Sequence, residues 1–111
     1  MPLSPVVFDI LVTLASGDAH GYAILTDIRE RTDPTLRPGS LYRALNRLLA
    51  EKLIEEVGGA ENAADERRTY YRLTAAGKRE AQAEARRLEA QVRTARDARL
   101  LNKLDKLDRA R

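Results

Sequence analysis

The sequence has no cysteine, no tryptophan and a single histidine. Without cysteine the chain has no disulfide framework, no thiol nucleophile and no thiolate metal site. His20 has no second histidine or cysteine with which to build a zinc site of the usual kind, so no metal or cofactor is expected. Ser40 has no histidine near it in sequence. The sequence therefore gives no sign of a catalytic group and predicts a protein that is not an enzyme.

Long apolar runs are also missing. No stretch approaches the roughly 20 residues of a membrane span, and the N-terminus lacks the basic region of a secretory signal. We therefore expect a cytoplasmic protein with no membrane partner. The 111 residues suit about one domain, and 43% hydrophobic residues can form a core. That core must be modest, because 33% of the residues are charged.

The charged residues are distributed unevenly, although the net charge is only +3. Residues 1–35 hold two arginines against five acids, whereas residues 36–53 hold four bases against one acid. Residues 75–111 hold eleven bases against six acids. An asymmetry of this kind is typical of proteins that bind a polyanion.

The segment from Leu36 to Leu53 predicts an amphipathic helix. Pro38 and Gly39 mark its start, and Ser40 is the expected N-cap. Five apolar residues recur at the helical period and form one face for a core: Leu41, Ala44, Leu45, Leu48 and Leu49. The other side comprises four residues with hydrogen-bond donors and one alanine, with no carboxylate before Glu51: Tyr42, Arg43, Asn46, Arg47 and Ala50. The simpler alternative is a basic helix that only faces solvent.

Donors on this face suit DNA. Arg43 and Arg47 can bind guanine bidentately, and Asn46 between them can bind adenine in the same way. The hydroxyl of Tyr42 can bond a phosphate. The face therefore predicts a helix that reads base edges.

Two helices are predicted before this one. Ser4 and Pro5 suit an N-cap and a first helical residue, and Gly17 suits a stop after Ala15 or Ser16. A second helix is expected from about Gly21 to Arg31. A Pro/Gly turn joins it to the basic helix, an arrangement that indicates a helix-turn-helix.

The apolar period changes after Lys52. Leu53 to Val57 alternates as a half-buried strand does, and RRTYYRL predicts a second strand after a polar loop. A hairpin directly after a recognition helix is a wing, whose Arg67 and Arg68 could reach a phosphate or the minor groove. Tyr70 and Tyr71 must point to opposite faces, and the period leaves open which of them is buried.

A long helix is predicted from Ala75 to about Asp108, with Thr74 as its N-cap. At that length it would span on the order of 50 Å, too long to bury against so small a domain. Alanines and two larger residues, Leu88 and Val92, form a coiled-coil-like seam. Four leucines then cluster on the opposite face: Leu100, Leu101, Leu104 and Leu107. Either the helix breaks near residues 96–99, or its end packs against something different.

These apolar residues predict a homodimer. The last helix carries apolar side chains that its own domain cannot cover, and the first helix has surplus apolar surface at Phe8 and Val12. The expected dimer interface therefore comprises Phe8, Val12, Leu88, Val92, Leu100, Leu101, Leu104 and Leu107.

Three runs in this order resemble the PadR family of bacterial transcriptional regulators: HGYAILTDI, LRPGSLYRALNRLLAEKLIEE and RRTYYRLTAAGKRE. The resemblance implies a mainly α fold with a small β-hairpin, in which residues 1–74 form a winged helix-turn-helix and residues 75–111 a dimerisation helix. It also implies a homodimer that represses transcription at palindromic operators in double-stranded DNA. The expected DNA contacts are Arg37, Ser40, Tyr42, Arg43, Asn46, Arg47, Arg67, Arg68 and Tyr70.

Two questions about partners stay open at this stage. Some family members bind aromatic or cationic effectors between subunits through tryptophan, which this chain lacks, so the chemistry of any small-molecule effector is unidentified. The alternative function is a winged-helix protein-interaction module without DNA binding, whose basic face meets an acidic partner.

Overall fold

The computed structural model describes residues 2–58 and 69–101. The elements follow in the order α1 (Pro5–Ala15), β1 (Ala19–His20), α2 (Gly21–Arg31), α3 (Pro38–Ala50), β2 (Ile54–Gly58), β3 (Thr69–Leu73) and α4 (Ala75–Asp97). In this part of the chain β1, β3 and β2 form one antiparallel sheet in that order. The predicted mainly α fold with a small hairpin is confirmed, and the short strand β1 is added to it.

The apolar faces of the first three helices meet in one core. Each follows the helical period that the sequence predicts, and the sheet adds Ile54 and Tyr71. The most completely buried side chains are Ile10, Leu11, Ile24, Ile28, Leu41, Leu45, Leu48 and Ile54. Burying a large aliphatic side chain contributes roughly 1.5–3 kcal/mol, so these residues dominate the stability of the helix-turn-helix.

Most helix starts follow the predicted capping. Ser4 Oγ accepts from the Val7 N–H at 3.4 Å, with Pro5 as the first residue of α1. His20 caps α2, since its Nδ1 accepts from the Ala23 N–H at 3.2 Å. The lone histidine is therefore a capping residue in this fold.

The prediction of Ser40 as the N-cap of α3 is wrong. The helix begins at Pro38, and its N-cap Arg37 makes no side-chain capping bond. Proline suits the first helical position because its φ is already helical and its missing N–H would have no helical partner there. Ser40 is consequently inside the first turn, where its hydroxyl accepts from Arg43.

The end of α3 is tied to the start of α4. Lys52 has a φ of +61° and ends α3 in a Schellman motif, with the Leu53 N–H bonded to the Leu48 carbonyl at 3.0 Å. Thr74 donates to the Lys52 carbonyl through Oγ1 at 2.8 Å and accepts from the Gly77 N–H at 3.0 Å. Thr74 is thereby the N-cap of α4, as predicted.

A polar network joins α1 to α2. The Thr13 hydroxyl donates to Asp27 Oδ2 at 2.6 Å, and Arg31 donates through Nη2 to Thr13 at 2.8 Å and through Nε to Asp27 at 3.0 Å. Thr32 donates to the carboxylate of Asp9 at 2.9 Å. The polar side chains of Asp9 and Thr13 on α1 therefore have hydrogen-bond partners within the chain.

The substitution Asp27→Asn is expected to remove a pH-dependent part of the stability. The hydrogen bond from Thr13, helped by Arg31 and opposed by partial burial, lowers the pKa of Asp27 from its ordinary value of 3.8. The charged form thus stabilises the fold above pH 3.8, and this contribution is lost as the pH falls through the lower folded pKa. Because the pair is partly exposed, the free energy of unfolding should drop by less than about 1 kcal/mol at neutral pH.

Urea unfolding at neutral and at strongly acidic pH, at one protein concentration, measures this difference. The control is Glu30→Gln on the exposed side of the same helix, which should give little difference at either pH. A deficit of Asp27→Asn that persists unchanged in acid would contradict the proposed role of the charge.

The chain divides into two compact units, the first ending at Ala81 and the second beginning at Gln82. Helix α4 has 23 residues, which corresponds to about 35 Å. It ends at Asp97 in a second Schellman motif, with Arg99 at a φ of +66° and the Leu100 N–H bonded to the Ala95 carbonyl at 2.9 Å. Of the two alternatives that the sequence left open, the structure shows the break near residues 96–99.

No helix among the described residues is both long and apolar enough to cross a membrane.

Candidate nucleic-acid interface

Helix α3 presents a donor-bearing face to solvent. Its buried positions, such as Leu41, Leu45 and Leu48, place Arg43 and Asn46 at the centre of the opposite side, where both are exposed. Tyr42 and Arg47 lie on the two flanks of this face. We call Tyr42, Arg43, Asn46 and Arg47 the α3 face.

The central arginine is held above the first turn of α3. Arg43 donates through Nη2 to the Ser40 hydroxyl at 3.2 Å, while its side chain stays exposed. Ser40 itself is half-buried. This hydrogen bond therefore holds the Arg43 guanidinium group on the solvent-exposed side of α3. There it is available to a carboxylate, a phosphate or a guanine edge.

Arg47 lies on the flank of the α3 face opposite to Tyr42, next to the carboxylate of Glu51. Its Nε is 3.4 Å from Glu51 Oε1, in a pair whose arginine side chain is 70% exposed. It also lines an open groove of about 710 Å³ together with Glu51, Leu53, Glu80 and the N-terminal end of α1. An exposed pair of this length contributes little to stability, so Arg47 can exchange Glu51 for another anion.

Tyr42 leans away from α3 onto the start of α2. Its ring lies against the α-carbon of Gly21, while the side chain as a whole stays 46% exposed. The buried phenol of Tyr71 lies nearby, and the pKa of Tyr71 is raised first by burial and then by the negative charge of Glu56. Tyr42 is therefore supported from outside its own helix.

A hydrogen-bonded turn connects α2 to α3. Asp33 Oδ1 accepts from the backbone N–H and the hydroxyl of Thr35, at 3.0 and 2.7 Å. Arg29 donates through Nε to the carbonyl of the buried Leu36 at 2.9 Å. Arg37 follows directly and is exposed, so this turn brings a further base to the start of α3.

The sheet resolves the two tyrosines of the wing. Tyr71 pairs with Ala19 and Glu56 and is 7% exposed, so it is the core tyrosine. Tyr70 is half-buried and packs edge-on against the His20 ring, with centroids 5.3 Å apart. Arg67 and Arg68 lie outside the described residues.

An ion pair joins strand β3 to Asp18, in the turn between α1 and β1. Arg72 binds Asp18 bidentately, with N–O distances of 2.7 and 3.1 Å. The bonds to Arg72 lower the pKa of Asp18, and Asp18 in turn raises the pKa of Arg72. This arginine is therefore engaged within the fold and was not among the predicted DNA contacts.

The residues predicted for a dimer interface are incompletely covered in the single chain. Phe8 and Val12 are half-buried on α1. Leu88 and Val92 on α4 are 37% and 43% exposed, and Leu100 and Leu101 after it are 68% and 38% exposed. Leu104 and Leu107 lie outside the described residues.

Sequence reasoning missed two neighbouring positions at the start of α2, the first of which supports the α3 face. Gly21 underlies Tyr42, and Tyr22 next to it is 70% exposed, more than any other large hydrophobic side chain in residues 2–58 and 69–101. The only signal was the HGY run itself. Within the same residues no group of three or more metal-binding side chains comes together.

A helix-turn-helix followed by an antiparallel hairpin, with basic residues on its second helix, defines the winged-helix class of regulators. Residues 10–83 match the model of the transcriptional regulator PadR-like family. The chain belongs to this family, and the resemblance seen in the sequence is confirmed. The family and the similar solved structures are transcriptional regulators, not enzymes.

Solved structures agree with this assignment. The chain is 28% identical to a PadR family transcription regulator from Clostridium difficile, covering 85% of this chain and 97% of that one with a TM-score of 0.77. It is 25% identical to Bacillus subtilis PadR in complex with operator DNA, covering 74% of this chain and 47% of that one with a TM-score of 0.62.

A curated relative is similar over a shorter range. The chain is 49% identical over 45 residues to a 37.1 kDa protein in transposon TN4556 of Streptomyces fradiae. This match covers 40% of the chain and only 13% of that protein.

Proposed function

We propose that this chain is a DNA-binding repressor that binds a palindromic operator as a homodimer. The observation that carries the proposal is the centre of the α3 face, where Arg43 and Asn46 are both exposed and no carboxylate lies between them. Arginine and asparagine are the side chains that bind guanine and adenine bidentately in the major groove. The operator-bound structure of a relative supports DNA as the partner.

In this proposal the other predicted contacts position Arg43 and Asn46 on the duplex. Arg37, Ser40 and Tyr42 lie at the start of α3 and would contact the phosphate backbone, as such residues commonly do. Arg47 would exchange its weak pair with Glu51 for DNA. On the wing, Arg67, Arg68 and Tyr70 are proposed as further contacts.

Dimerisation would place two α3 faces on one operator. Helix-turn-helix dimers read half-sites about 34 Å apart, one turn of DNA, which is why their operators are palindromic. We assign DNA binding to residues 1–74 and dimerisation to residues 75–111, together with Phe8 and Val12. Binding within a promoter would repress transcription by occupying the site that the polymerase needs.

The substitution Arg43→Ala is expected to weaken operator binding without unfolding the protein. The side chain is exposed and opposite the buried leucines, so the core is untouched. Loss of one base contact costs about 1–3 kcal/mol. The measurement is a titration of fluorescent duplexes, one selected by the wild-type protein from a randomised library and one with the same bases scrambled.

Arg93→Ala is the matched control, since it removes the same charge from an exposed position on α4 and should bind as the wild type does. Equal losses on both duplexes would assign Arg43 to a phosphate rather than a base. Unchanged binding to both duplexes would contradict the proposal that α3 recognises the base sequence. A wild-type protein that selects no duplex at all would favour the protein-interaction module.

A further inference from the structure

Gly21 is a glycine that its own backbone does not require. It is the first residue of α2, and its φ is not positive, unlike that of Gly17. Glycine is also less favourable than alanine inside a helix. The reason for a glycine at this position must therefore lie in the space around it.

That space is occupied by the ring of Tyr42. A Cβ added to Gly21 would lie 2.8 Å from Tyr42 Cζ, 3.1 Å from Cε1 and closer still to the hydroxyl oxygen. Real Cβ atoms do not approach a ring this closely, because the separation is well inside van der Waals contact. Any larger residue at position 21 would push the tyrosine off α2.

The contact links the two helices of the helix-turn-helix at the α3 face. Tyr42 belongs to α3, but its phenol rests on α2, where Gly21 is buried beneath it. A tyrosine on the flank of a helix can adopt several rotamers, and the packing contact with Gly21 selects one of them. The position of the Tyr42 hydroxyl thus depends on Gly21, which is not itself among the proposed DNA contacts.

We propose that Gly21 is a positioning residue for DNA binding, which holds the Tyr42 phenol in place by leaving room for it on α2. This inference rests on the proposed function, because it assumes that Tyr42 contacts the operator. Gly21 acts through Tyr42 and through nothing else.

The test is a double-mutant cycle in the full chain. Gly21→Ala, Tyr42→Ala and the double variant are titrated with the operator duplex selected by the wild-type protein. We expect Gly21→Ala to weaken binding roughly tenfold, as for one lost contact. In the Tyr42→Ala background the same substitution should have almost no effect, because the residue through which it acts is gone.

A structural readout accompanies the cycle without DNA. In the wild-type protein, proton NMR should show a nuclear Overhauser effect between the Gly21 α-protons and the Tyr42 ring. In Gly21→Ala the Tyr42 ring resonances should move while those of the buried Ile24 stay. Should Gly21→Ala fail to fold, the double variant should fold again, because its clash with the ring is removed.

Three results would overturn the inference: normal operator binding by Gly21→Ala, an equal loss from Gly21→Ala with and without Tyr42, or a missing Overhauser effect in the wild-type protein. Failure of the proposed function is recognisable separately, because the wild-type protein itself would then select no duplex. The positioning role in DNA binding would fall with it.

Discussion

Replacing Leu88 and Val92 together by glutamate is expected to dissociate the proposed dimer and abolish specific operator binding. Both side chains are 37–43% exposed on one side of α4 in the single chain, and the proposal buries them between subunits. Carboxylates there would be desolvated without partners, at a cost of several kcal/mol. A monomer offers only one α3 face, so the contribution of the second half-site is lost.

Sedimentation across a range of protein concentrations measures the first effect, and operator titration measures the second. The matched control places the same two charges at Ala83 and Ala90, which are exposed and lie on the opposite side of α4 by the helical period. That variant should remain dimeric and bind normally. A dimeric, operator-binding Leu88→Glu/Val92→Glu variant would show that this side of α4 is not the interface.

The substitution Gly77→Ala is expected to cost at least about 2 kcal/mol of folding free energy, near the upper part of the range for overpacking. A Cβ at position 77 would lie 2.9 Å from both the carbonyl carbon of Leu53 and Leu73 Cδ1, and closer still to the Leu53 oxygen. The Leu53 carbonyl is part of the backbone, so it cannot avoid the added Cβ by a change of rotamer as a side chain can. The bonds that join Thr74 to residues 52 and 53 would then be strained or broken.

Gly39→Ala serves as the control for stability. A Cβ at that helical glycine would meet only Arg43 Nη1, at an ordinary 3.6 Å. Its free energy of unfolding should match or slightly exceed that of the wild type, since alanine is favoured over glycine in a helix by about 1 kcal/mol. Urea unfolding of both variants measures the difference in their free energies of unfolding. A Gly77→Ala protein as stable as Gly39→Ala would mean that the Leu53 carbonyl does not exclude a Cβ at position 77.

The helices of the winged helix-turn-helix could be predicted because their signals are local. Apolar residues at the helical period, with Ser4, Thr74 and Gly17 at helix ends, were sufficient to place α1, α2 and the start of α4. The α3 face was predictable for the same reason, since a buried leucine face defines the exposed one. The error at Ser40 arose because two local signals competed, and proline at the first helical position prevailed.

Strand β1 could not be predicted, because its two residues pair with β3 about fifty positions further along the chain. A strand so short carries no alternation of its own. The choice between Tyr70 and Tyr71 has the same origin. Alternation requires that the two side chains point to opposite faces, but only the packing of the sheet on the helices decides which face is the core.

The amino-acid sequence by itself determined the class of fold, the family and the basic helix, because periodicity, capping and charge act between residues close together in the chain. The tertiary structure decided what depends on the space between distant segments. It placed the Tyr42 ring on Gly21, the Leu53 carbonyl against Gly77 and the ring of Tyr71 in the core. Close packing leaves no room for an additional carbon at either glycine, and neither restriction is visible until the segments have been brought together.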